Sequence, residues 1–409
     1  MRRRNTVLLM IPVVLAAGLG INRYQNSESR LPVDKNVVTA ETRFGFKLFN
    51  ELAQQTPKSN IVISPASLFQ LLSITYNGAD GGTKTAMEKA LELQGISLDQ
   101  LNRANNAALV NMENPGRKVK TDVANFVWVR KGIPFEKAFL ETSRDFYKAE
   151  VNELDFSAPN AASVINDCVR KKTRGNIDGV VETFKPNDIL VLLNTVYFRG
   201  KWSHSFDPSK TKQSEFTLAD GSKKLVPMMQ EKMKVRSYSG DNFQAVNLPY
   251  GKCRLSMYVF LPNKDSSLQD FLNNLNQNNW DKWVSSFSEP REIPVELPRF
   301  AMKYDSHDDI KRALSTMGMG VLFDREHADL RKASPLARDK SNNVYVDEIA
   351  QQAVIEVNEK GTKAYAVSFE LFAALGIERG FIADRPFFFA IRDNKTGVIL
   401  FMGTVWDPK

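Results

Sequence analysis

The sequence predicts an α+β fold in a single domain. Helical patterns concentrate in the first half of the chain and strand patterns in the second half, whereas an α/β protein would alternate them. The composition, 43% hydrophobic and 25% charged, provides enough apolar side chains for a large core. Length alone would allow two or three domains, but no linker, repeat or low-complexity tract divides the chain after residue 35.

The predicted helices begin with an amphipathic segment over 34–55. In segment 60–79 a short strand leads into a buried helix, with Ser64 at the N-cap and Pro65 at the first helical position, where its missing N–H is not needed. Gly78 is expected to end that helix. Further helices are predicted over 83–94, 97–113, 135–147, 160–174, 267–287 and 306–318.

The strongest strand prediction is segment 189–202, which is apolar at both alternating positions and is therefore expected to be covered on two faces. Segment 122–130 also has strand composition. Short strands and turns are expected over 214–262. The C-terminal segment 385–406 predicts two strands joined through Asp393–Gly397.

The first 21 residues have the layout of an export signal. Arginines at 2–4 precede an apolar run over 7–19, which is short for a membrane-spanning helix. Small residues at 16–18 offer an imperfect cleavage site, and the lack of a cysteine there excludes lipid attachment at that point. We expect 1–21 to be an export signal or an uncleaved N-terminal anchor, with a buried first helix as the alternative, and 22–35 to be an N-terminal extension. The expected location is secreted or periplasmic.

Motifs of enzymes and cofactor sites are absent from the sequence. Its three histidines, His204, His307 and His327, lack metal-ligand spacing, and neither HExxH nor CxxC occurs. No GxSxG elbow, P-loop or GxGxxG is present. We therefore expect no catalytic activity, no cofactor and no metal ion.

The net charge of +8 is spread thinly along the chain. The densest basic clusters are 116–120 and 170–172, and neither carries interleaved aromatic residues or a nucleic-acid-binding motif. Solvated surface is the simpler interpretation of these clusters, and a polyanion site is the alternative. No nucleic-acid partner is expected, and no membrane contact other than an N-terminal anchor.

Six segments of the sequence together resemble one known family. They are SPASLFQLLSITYNGADGGT (64–83), NTVYFRGKW (194–202), LPRF (297–300), MGMGVLFDREHADL (317–330), VIEVNEKGTKAYAVS (354–368) and FIADRPFFFAI (381–391). Their sequences and their order resemble those of the serpins, and we identify residues 36–409 as a serpin domain. The resemblance is to an inhibitory, bacterial-like exported member.

The resemblance implies a single domain with about nine helices, three β-sheets and an exposed reactive-centre loop over about 361–382. It also implies the function, in which a serine protease attacks the loop as a substrate and forms a covalent acyl complex. The cut loop then inserts as a new strand into the main sheet, sheet A. The protein is expected to be a monomer and not an enzyme. A non-inhibitory serpin that acts as a binding or chaperone-like protein is the alternative.

The base of the loop, the hinge, has the small residues that insertion requires on one strand face. Side chains alternate between faces along a strand. The opposite face is bulky, with Tyr365 and Val367, which departs from the family pattern and supports the non-inhibitory alternative. The hinge residues implied by the resemblance are Glu359, Gly361, Thr362, Ala364, Ala366 and Ser368.

The reactive bond implied by the resemblance is Leu375-Gly376. Counting seventeen residues inclusively from Glu359 and counting back eleven from Pro386 both reach Leu375. An apolar residue there favours a protease with a chymotrypsin-, elastase- or subtilisin-like preference, and the rival sites are Phe372 and Arg379, the latter implying a trypsin-like target.

Two groups of residues around sheet A complete the expectations from the resemblance. Gln351 stands where serpins usually have a histidine, and it is expected to face Ser64 and Asn194, unless Gln352 is the true neighbour. An ion pair is expected between Glu359 and Arg299. The full shutter and breach set is Ser64, Ser67, Asn194, Trp202, Arg299 and Gln351.

The two cysteines, Cys168 and Cys253, do not define a disulfide by their spacing, although an exported protein could carry one. In the serpin resemblance they fall on opposite sides of sheet A. We expect two free thiols that are mostly buried.

Overall fold

The computed structural model describes residues 31–177, 179–185, 188–338, 343–362 and 380–409. Within these ranges the chain forms nine α-helices and fifteen strands in one α+β body. None of the described helices is both long and apolar enough to cross a membrane. The helices are α1 Lys35–Gln55, α2 Pro65–Gly78, α3 Gly81–Ala90, α4 Leu98–Glu113, α5 Lys137–Tyr147, α6 Ala161–Lys172, α7 Leu268–Asn273, α8 Gln277–Ser285 and α9 His307–Leu314.

The first sheet has six strands and corresponds to the expected sheet A. Its order is β10-β11-β4-β2-β3, and β12 pairs with β11. The side chains of β4 are apolar on both faces of the strand, because α6 covers one face and the second sheet covers the other. The strands are β2 Val119–Arg130, β3 Glu150–Leu154, β4 Leu190–Gly200, β10 Phe300–Asp305, β11 Glu348–Asn358 and β12 Gly361–Thr362.

The second hydrogen-bonded network has nine strands in the order β1-β15-β14-β8-β7-β6-β9-β13, with β5 paired to β6. The 17-residue β6 divides it, because 236–239 pair with β7 while 228–235 pair with β9. The three expected sheets are therefore present, two of them joined through one long strand. Its strands are β1 Ile61–Ile63, β5 Lys212–Thr217, β6 Lys223–Ser239, β7 Phe243–Pro249, β8 Leu255–Pro262, β9 Arg291–Pro298, β13 Phe381–Ile382, β14 Phe387–Asp393 and β15 Ile399–Val405.

The core fills both faces of the nine-stranded network. On one face α1 packs against β14, where the rings of Phe49 and Phe388 lie 5.6 Å apart. On the other face β4 of the first sheet packs against β15, where Phe198 and Phe401 are 5.9 Å apart. One face of the six-stranded sheet thus packs against a buried apolar layer, and its outer face packs against α6 together with Phe156, Ile177, Val180 and Val181.

Two helix predictions are wrong in extent. Segment 267–287 forms two helices instead of one, because the side chain of Asn276 caps a second helix start by accepting from the amide of Asn279. The helix predicted over 306–318 ends at Leu314, and the chain continues in a π-helical turn in which Gly318 has a φ of 95°. The prediction of only short strands over 214–262 also missed the length of β6.

Candidate functional site

The boundary between β4 and β11, here called the seam, is the part of the sheet that loop insertion would have to open. The two strands run parallel and pair over seven residues, from Glu348 opposite Val191 to Val354 opposite Tyr197. Beyond Val354 the pairing between them stops, although β11 continues to Asn358. We call the paired part, from Glu348 to Val354, the lower seam, and the part beside the rest of β11, up to Asn358, the upper seam. β4 and β11 are therefore hydrogen-bonded to each other along the lower seam and are not paired with each other along the upper seam.

The chain turns back into the upper seam directly after β11. Gly361 pairs with Asn358, and the backbone of Thr362 pairs with Val357, both antiparallel. Because Phe300 of β10 already occupies the other side of Val357, β12 lies on the side that faces β4. Gly361 also forms an antiparallel bridge with Lys201, just past the end of β4.

Glycine is required at this point of the turn. Gly361 has a φ of +137°, a conformation that side chains other than hydrogen rarely permit. A Cβ added there would lie 2.0 Å from the carbonyl oxygen of Gly200 and 2.6 Å from the Cα of Lys201. The close approach of the hinge to β4 therefore depends on the missing side chain.

Trp202 ties the end of β4 to the turn after β11. Its indole Nε1 donates to the carbonyl oxygen of Asn358 at 2.9 Å, and its backbone amide donates to the carbonyl oxygen of Lys360 at 3.1 Å. The ring stacks on Tyr250 with 4.4 Å between centroids and is 3% exposed. A buried indole needs such a hydrogen-bond acceptor, so the ring fixes the position of the turn.

The predicted ion pair between Glu359 and Arg299 is present. The Nε of Arg299 donates to Oε1 of Glu359 at 2.6 Å, and a second guanidinium nitrogen also contacts that oxygen. The hydroxyl of Thr211 donates to the same carboxylate at 2.5 Å. The Glu359 side chain is 5% exposed and that of Arg299 is 39% exposed, so the acid is buried and its partner is not.

A buried polar cluster crosses the seam on its inner face, with Gln351 at its centre. The Nε2 of Gln351 donates to Oδ1 of Asn194 on β4 at 2.7 Å and to the carbonyl oxygen of Ser64 at 3.1 Å. Its Oε1 accepts from the amide of Ser64 at 2.7 Å. The predicted contact is confirmed, and the register is right, because Gln352 contacts Asp305 instead.

The cluster reaches further than the sequence indicated. Asn194 donates to Oδ1 of Asn125 on β2 at 2.8 Å, and Ser306 donates to the carbonyl oxygen of Gln351 at 2.9 Å. Ser64 occupies the predicted N-cap position of α2, but its hydroxyl donates to Oγ of Ser67 at 3.0 Å and does not cap the helix. One network therefore joins α2, α9, β2, β4 and β11.

Several residues of the site were missed by the sequence analysis. Thr211, Ser306 and Asn125 contribute hydrogen bonds, yet they lie in segments that carry no motif and are distant in sequence from the residues they contact. Only the folded sheet brings them together. No sequence signal of the kinds used above would have identified them.

Part of the predicted site lies outside the described residues. This holds for both residues of the predicted reactive bond, for the rival sites, for the bulky hinge face and for the side chain of Thr362. The residues concerned are Ala364, Tyr365, Ala366, Val367, Ser368, Phe372, Leu375, Gly376 and Arg379.

The cysteines are free, as expected, but the prediction that they are mostly buried is wrong. Cys253 is exposed because it sits in the turn between β7 and β8 with a φ of 65°. Cys168 is half-buried on α6, where burial raises the pKa of its thiol to about 11 and a nearby carboxylate, Glu150, adds to the shift. Within the described ranges, no group of three or more potential ligands could hold a metal ion.

Comparisons with known proteins agree with this architecture. A family model described as serpin (serine protease inhibitor) matches residues 39–408. Glia-derived nexin of Mus musculus is 33% identical over 377 residues, which cover 89% of this chain and 91% of nexin. Leukocyte elastase inhibitor of Bos taurus is 32% identical over 382 residues, covering 90% and 98% of the two chains.

A solved structure gives the same result in three dimensions. The crystal structure of tengpin, a thermophilic serpin in the native state, superposes with a TM-score of 0.82 at 29% identity, covering 93% of this chain and 96% of tengpin. The two sheets, the seam and the turn that enters it thus occur in a chain whose sequence and fold both match one family. The protein belongs to the serpin family.

Proposed function

We propose that this chain is a suicide-substrate inhibitor of serine proteases with a chymotrypsin-, elastase- or subtilisin-like preference. The observation that carries the proposal is the position of Gly361 and Thr362 in the upper seam. The segment that would insert after cleavage already starts between the two strands that would receive it. The names of the curated relatives, which include an elastase inhibitor, support the same function.

The reaction begins as ordinary proteolysis. The hydroxyl oxygen of the protease serine attacks the carbonyl carbon of Leu375, and the amine of Gly376 takes up a proton and leaves as a new N-terminus. The inhibitor is now an ester of the protease serine, and water would complete the hydrolysis. Insertion of the cut loop into the seam must occur first and carry the attached protease across the molecule, which distorts its active site.

The pairing directions favour insertion. β4 and β11 are parallel neighbours, whereas Gly361 and Thr362 run antiparallel to both strands. Insertion would replace one parallel pairing by two antiparallel ones, and parallel pairing is slightly weaker per residue. About 14 inserted residues at roughly 1 kcal/mol per hydrogen bond would contribute on the order of 10 kcal/mol. This is comparable to the whole folding stability of a typical domain, about 5–15 kcal/mol.

The preference for an apolar pocket rests on Leu375. Burying this side chain in the primary pocket of a protease stabilises the complex by about 1.5–3 kcal/mol. A pocket that carries a buried acid for basic side chains would leave that acid unpaired. Phe372 and Arg379 remain the rival cleavage sites, and only Arg379 implies a trypsin-like protease.

One experiment tests both the inhibitory mechanism and the proposed cleavage at the Leu375-Gly376 bond. The protein is mixed with chymotrypsin, and a band of summed mass that survives SDS is expected, together with a C-terminal fragment that begins at Gly376. The variant Leu375→Arg is the matched control, which should shift complex formation from chymotrypsin to trypsin. If the unaltered protein traps only trypsin and the fragment begins at Gly380, the assigned bond is wrong.

The alternative function is that of a non-inhibitory serpin, a binding or chaperone-like protein. Tyr365 and Val367 favour it, because a bulky face slows entry of the loop between two strands. This alternative predicts that chymotrypsin cuts the loop without forming a stable complex. Export by segment 1–21 and a monomeric state are also part of our proposal, and the mass and N-terminus of the secreted protein would test both.

A further inference from the structure

The foot of the seam, where β4 and β11 both begin, is closed by an acidic side chain. Asp347 directly precedes β11, and its Oδ2 accepts from the amide of Ile189 at 2.5 Å and from the amide of Leu190 at 3.1 Å. Its own amide donates to the carbonyl oxygen of Leu190 at 3.0 Å. We call these three hydrogen bonds the clasp, because through them a single residue joins the start of one strand to the start of the other.

Asp347 is anchored on its own side of the seam. Its carbonyl oxygen accepts from Nζ of Lys311 on α9 at 2.8 Å, and the amide of the preceding Val346 donates to the carbonyl oxygen of Leu322 at 3.2 Å. Asp347 is also buried, with an exposure of 9%. Because these contacts hold Asp347 to elements other than β4, it cannot follow β4 when the two strands part, and the clasp has to break.

Breaking the clasp costs more than separating an ordinary pair of strand residues. Hydrogen bonds from backbone amides to a carboxylate are roughly twice as strong as those between neutral groups. A buried carboxylate that loses its donors also bears the cost of its desolvation. The clasp therefore resists the separation of β4 and β11 more strongly than any one pair of the lower seam.

The register of β12 determines when an inserting loop would reach the clasp. Thr362 lies opposite Val357, and each later loop residue would lie opposite the next lower residue of β11. Continued, this register brings Phe372 opposite Asp347. The loop residues before Phe372 would need only the pairs of the lower seam to separate. Residues 372–375, which directly precede the proposed cut, would need the clasp to open as well.

We propose that Asp347 controls the completion of loop insertion, because its clasp is the last barrier that the cut loop has to pass. The proposal rests on the proposed inhibitory function, in which the loop becomes a strand between β4 and β11. Asp347 is a positioning residue in this mechanism, since it acts on the seam through the amides of Ile189 and Leu190. Its removal should speed the last step of insertion and leave the earlier steps unchanged.

Uptake of loop peptides by the uncut protein tests the clasp without any protease. A peptide with the sequence of residues 363–371 would end opposite the first residue of β11, whereas one with the sequence of residues 363–375 would pass Asp347. Uptake is followed as a rise in the unfolding temperature with time. Asp347→Ala should take up the longer peptide about tenfold faster than the unaltered protein, because two hydrogen bonds to a carboxylate no longer have to break. Its uptake of the shorter peptide should be unchanged.

Two further variants complete the peptide experiment. Asp188→Ala removes a neighbouring buried acid whose Oδ2 accepts from the amide of Lys185 in its own segment, so it should not change the uptake of either peptide. Asp347→Asn keeps a neutral acceptor oxygen and should speed uptake of the longer peptide by a smaller factor, which keeps the proposal testable if Asp347→Ala folds poorly. A purely structural role would lower the unfolding temperature and change the uptake of both peptides alike. That result, or equal uptake of the longer peptide by the Asp347 variants and the unaltered protein, would overturn the proposal.

A second measurement separates the clasp from the inhibitory function. With chymotrypsin, Asp347→Ala should consume fewer inhibitor molecules per protease blocked than the unaltered protein, because faster insertion outruns hydrolysis of the ester. If neither protein traps chymotrypsin, the proposed function fails, and uptake of the longer peptide still decides whether the clasp is a barrier. If both proteins trap chymotrypsin equally well and take up the longer peptide equally fast, the proposed function stands and the role assigned to Asp347 is wrong.

Discussion

At the scale of single residues, Glu41 on α1 is a carboxyl group in an apolar interior. It is 2% exposed, and its Oε1 has no hydrogen-bond partner among the described residues. Burial raises the pKa of Glu41 from 4.5 to about 8, because the charged form would lose its hydration. The side chain is therefore protonated at neutral pH in the folded protein.

The raised pKa of Glu41 predicts a loss of stability with rising pH. Between about pH 4.5 and pH 8 the unfolded chain releases the proton while the folded chain keeps it, so the free energy of unfolding falls across this window. Glu41→Gln should remove this component and raise the unfolding temperature at pH 8 more than at pH 5. Thermal melts at the two pH values measure the difference, and an equal effect at both would contradict the assignment.

Gly361 gives a second prediction at this scale. Gly361→Ala should push the turn away from β4, because the added methyl group would overlap the backbone at Gly200 and Lys201. Hydrogen exchange at the amide of Trp202, which donates to the carbonyl of Lys360, should become faster. Gly82→Ala is the control, since no atom lies within 4 Å of its added Cβ, and it should leave that exchange rate unchanged.

At the scale of elements, the turn that connects β11 to β12 is held by the ion pair between Arg299 and Glu359 in addition to the hydrogen bonds of Trp202. Among the described residues, Arg299→Ala would leave the buried carboxylate of Glu359 with only the Thr211 hydroxyl as a side-chain partner. Because Arg299 itself is partly exposed, we expect a loss of about 1–3 kcal/mol, between the values for exposed and buried pairs. Denaturant unfolding measures it.

Lys223→Ala supplies the comparison for the ion-pair prediction. Lys223 pairs with Glu215, and both side chains are about 60% exposed, so its removal should cost much less stability than the loss of Arg299. If both variants lost the same small amount, the pair at Glu359 would not anchor the turn.

Predictions of elements succeeded where a residue determines local backbone geometry. Pro65 and Gly78 mark the two ends of α2, and the structure places its ends at those residues. The prediction failed at 267–287, where apolar periodicity continues through a break that the polar side chain of Asn276 creates. The exposure of Cys253 also could not be predicted from the sequence, because it depends on the conformation of the turn between β7 and β8.

Some contacts of the site could be predicted from the sequence and others could not. Contacts of Gln351 with Ser64 and Asn194 followed from the serpin resemblance, which supplies the register of three distant segments. Ser306 and Asn125 could not be predicted, since polar residues of their type occur throughout the chain and only tertiary packing selects them.

At the scale of the whole molecule, the proposed mechanism makes the fate of the cut loop decide whether the protein acts as an inhibitor or as a substrate. Thr362→Arg should convert the protein into a substrate, because an unpaired charge entering the sheet costs several kcal/mol. The number of inhibitor molecules consumed per protease blocked should rise. Lys363→Arg, whose side chain alternates to the opposite face, should leave that number nearly unchanged. An unchanged ratio for Thr362→Arg would mean that the loop does not insert at this register.

The turn at Gly361 has a kinetic consequence for the whole molecule. A free segment that joins a sheet must first find its register, and the entropy of closing that loop slows the first pairing. Here the first pairs, at Val357 and Asn358, exist before any bond is cut. In the proposed insertion the nucleus of the new strand would therefore already be formed, and only its propagation would remain. The speed of propagation would then be governed by how fast the seven pairs of the lower seam and the Gln351–Asn194 hydrogen bond separate.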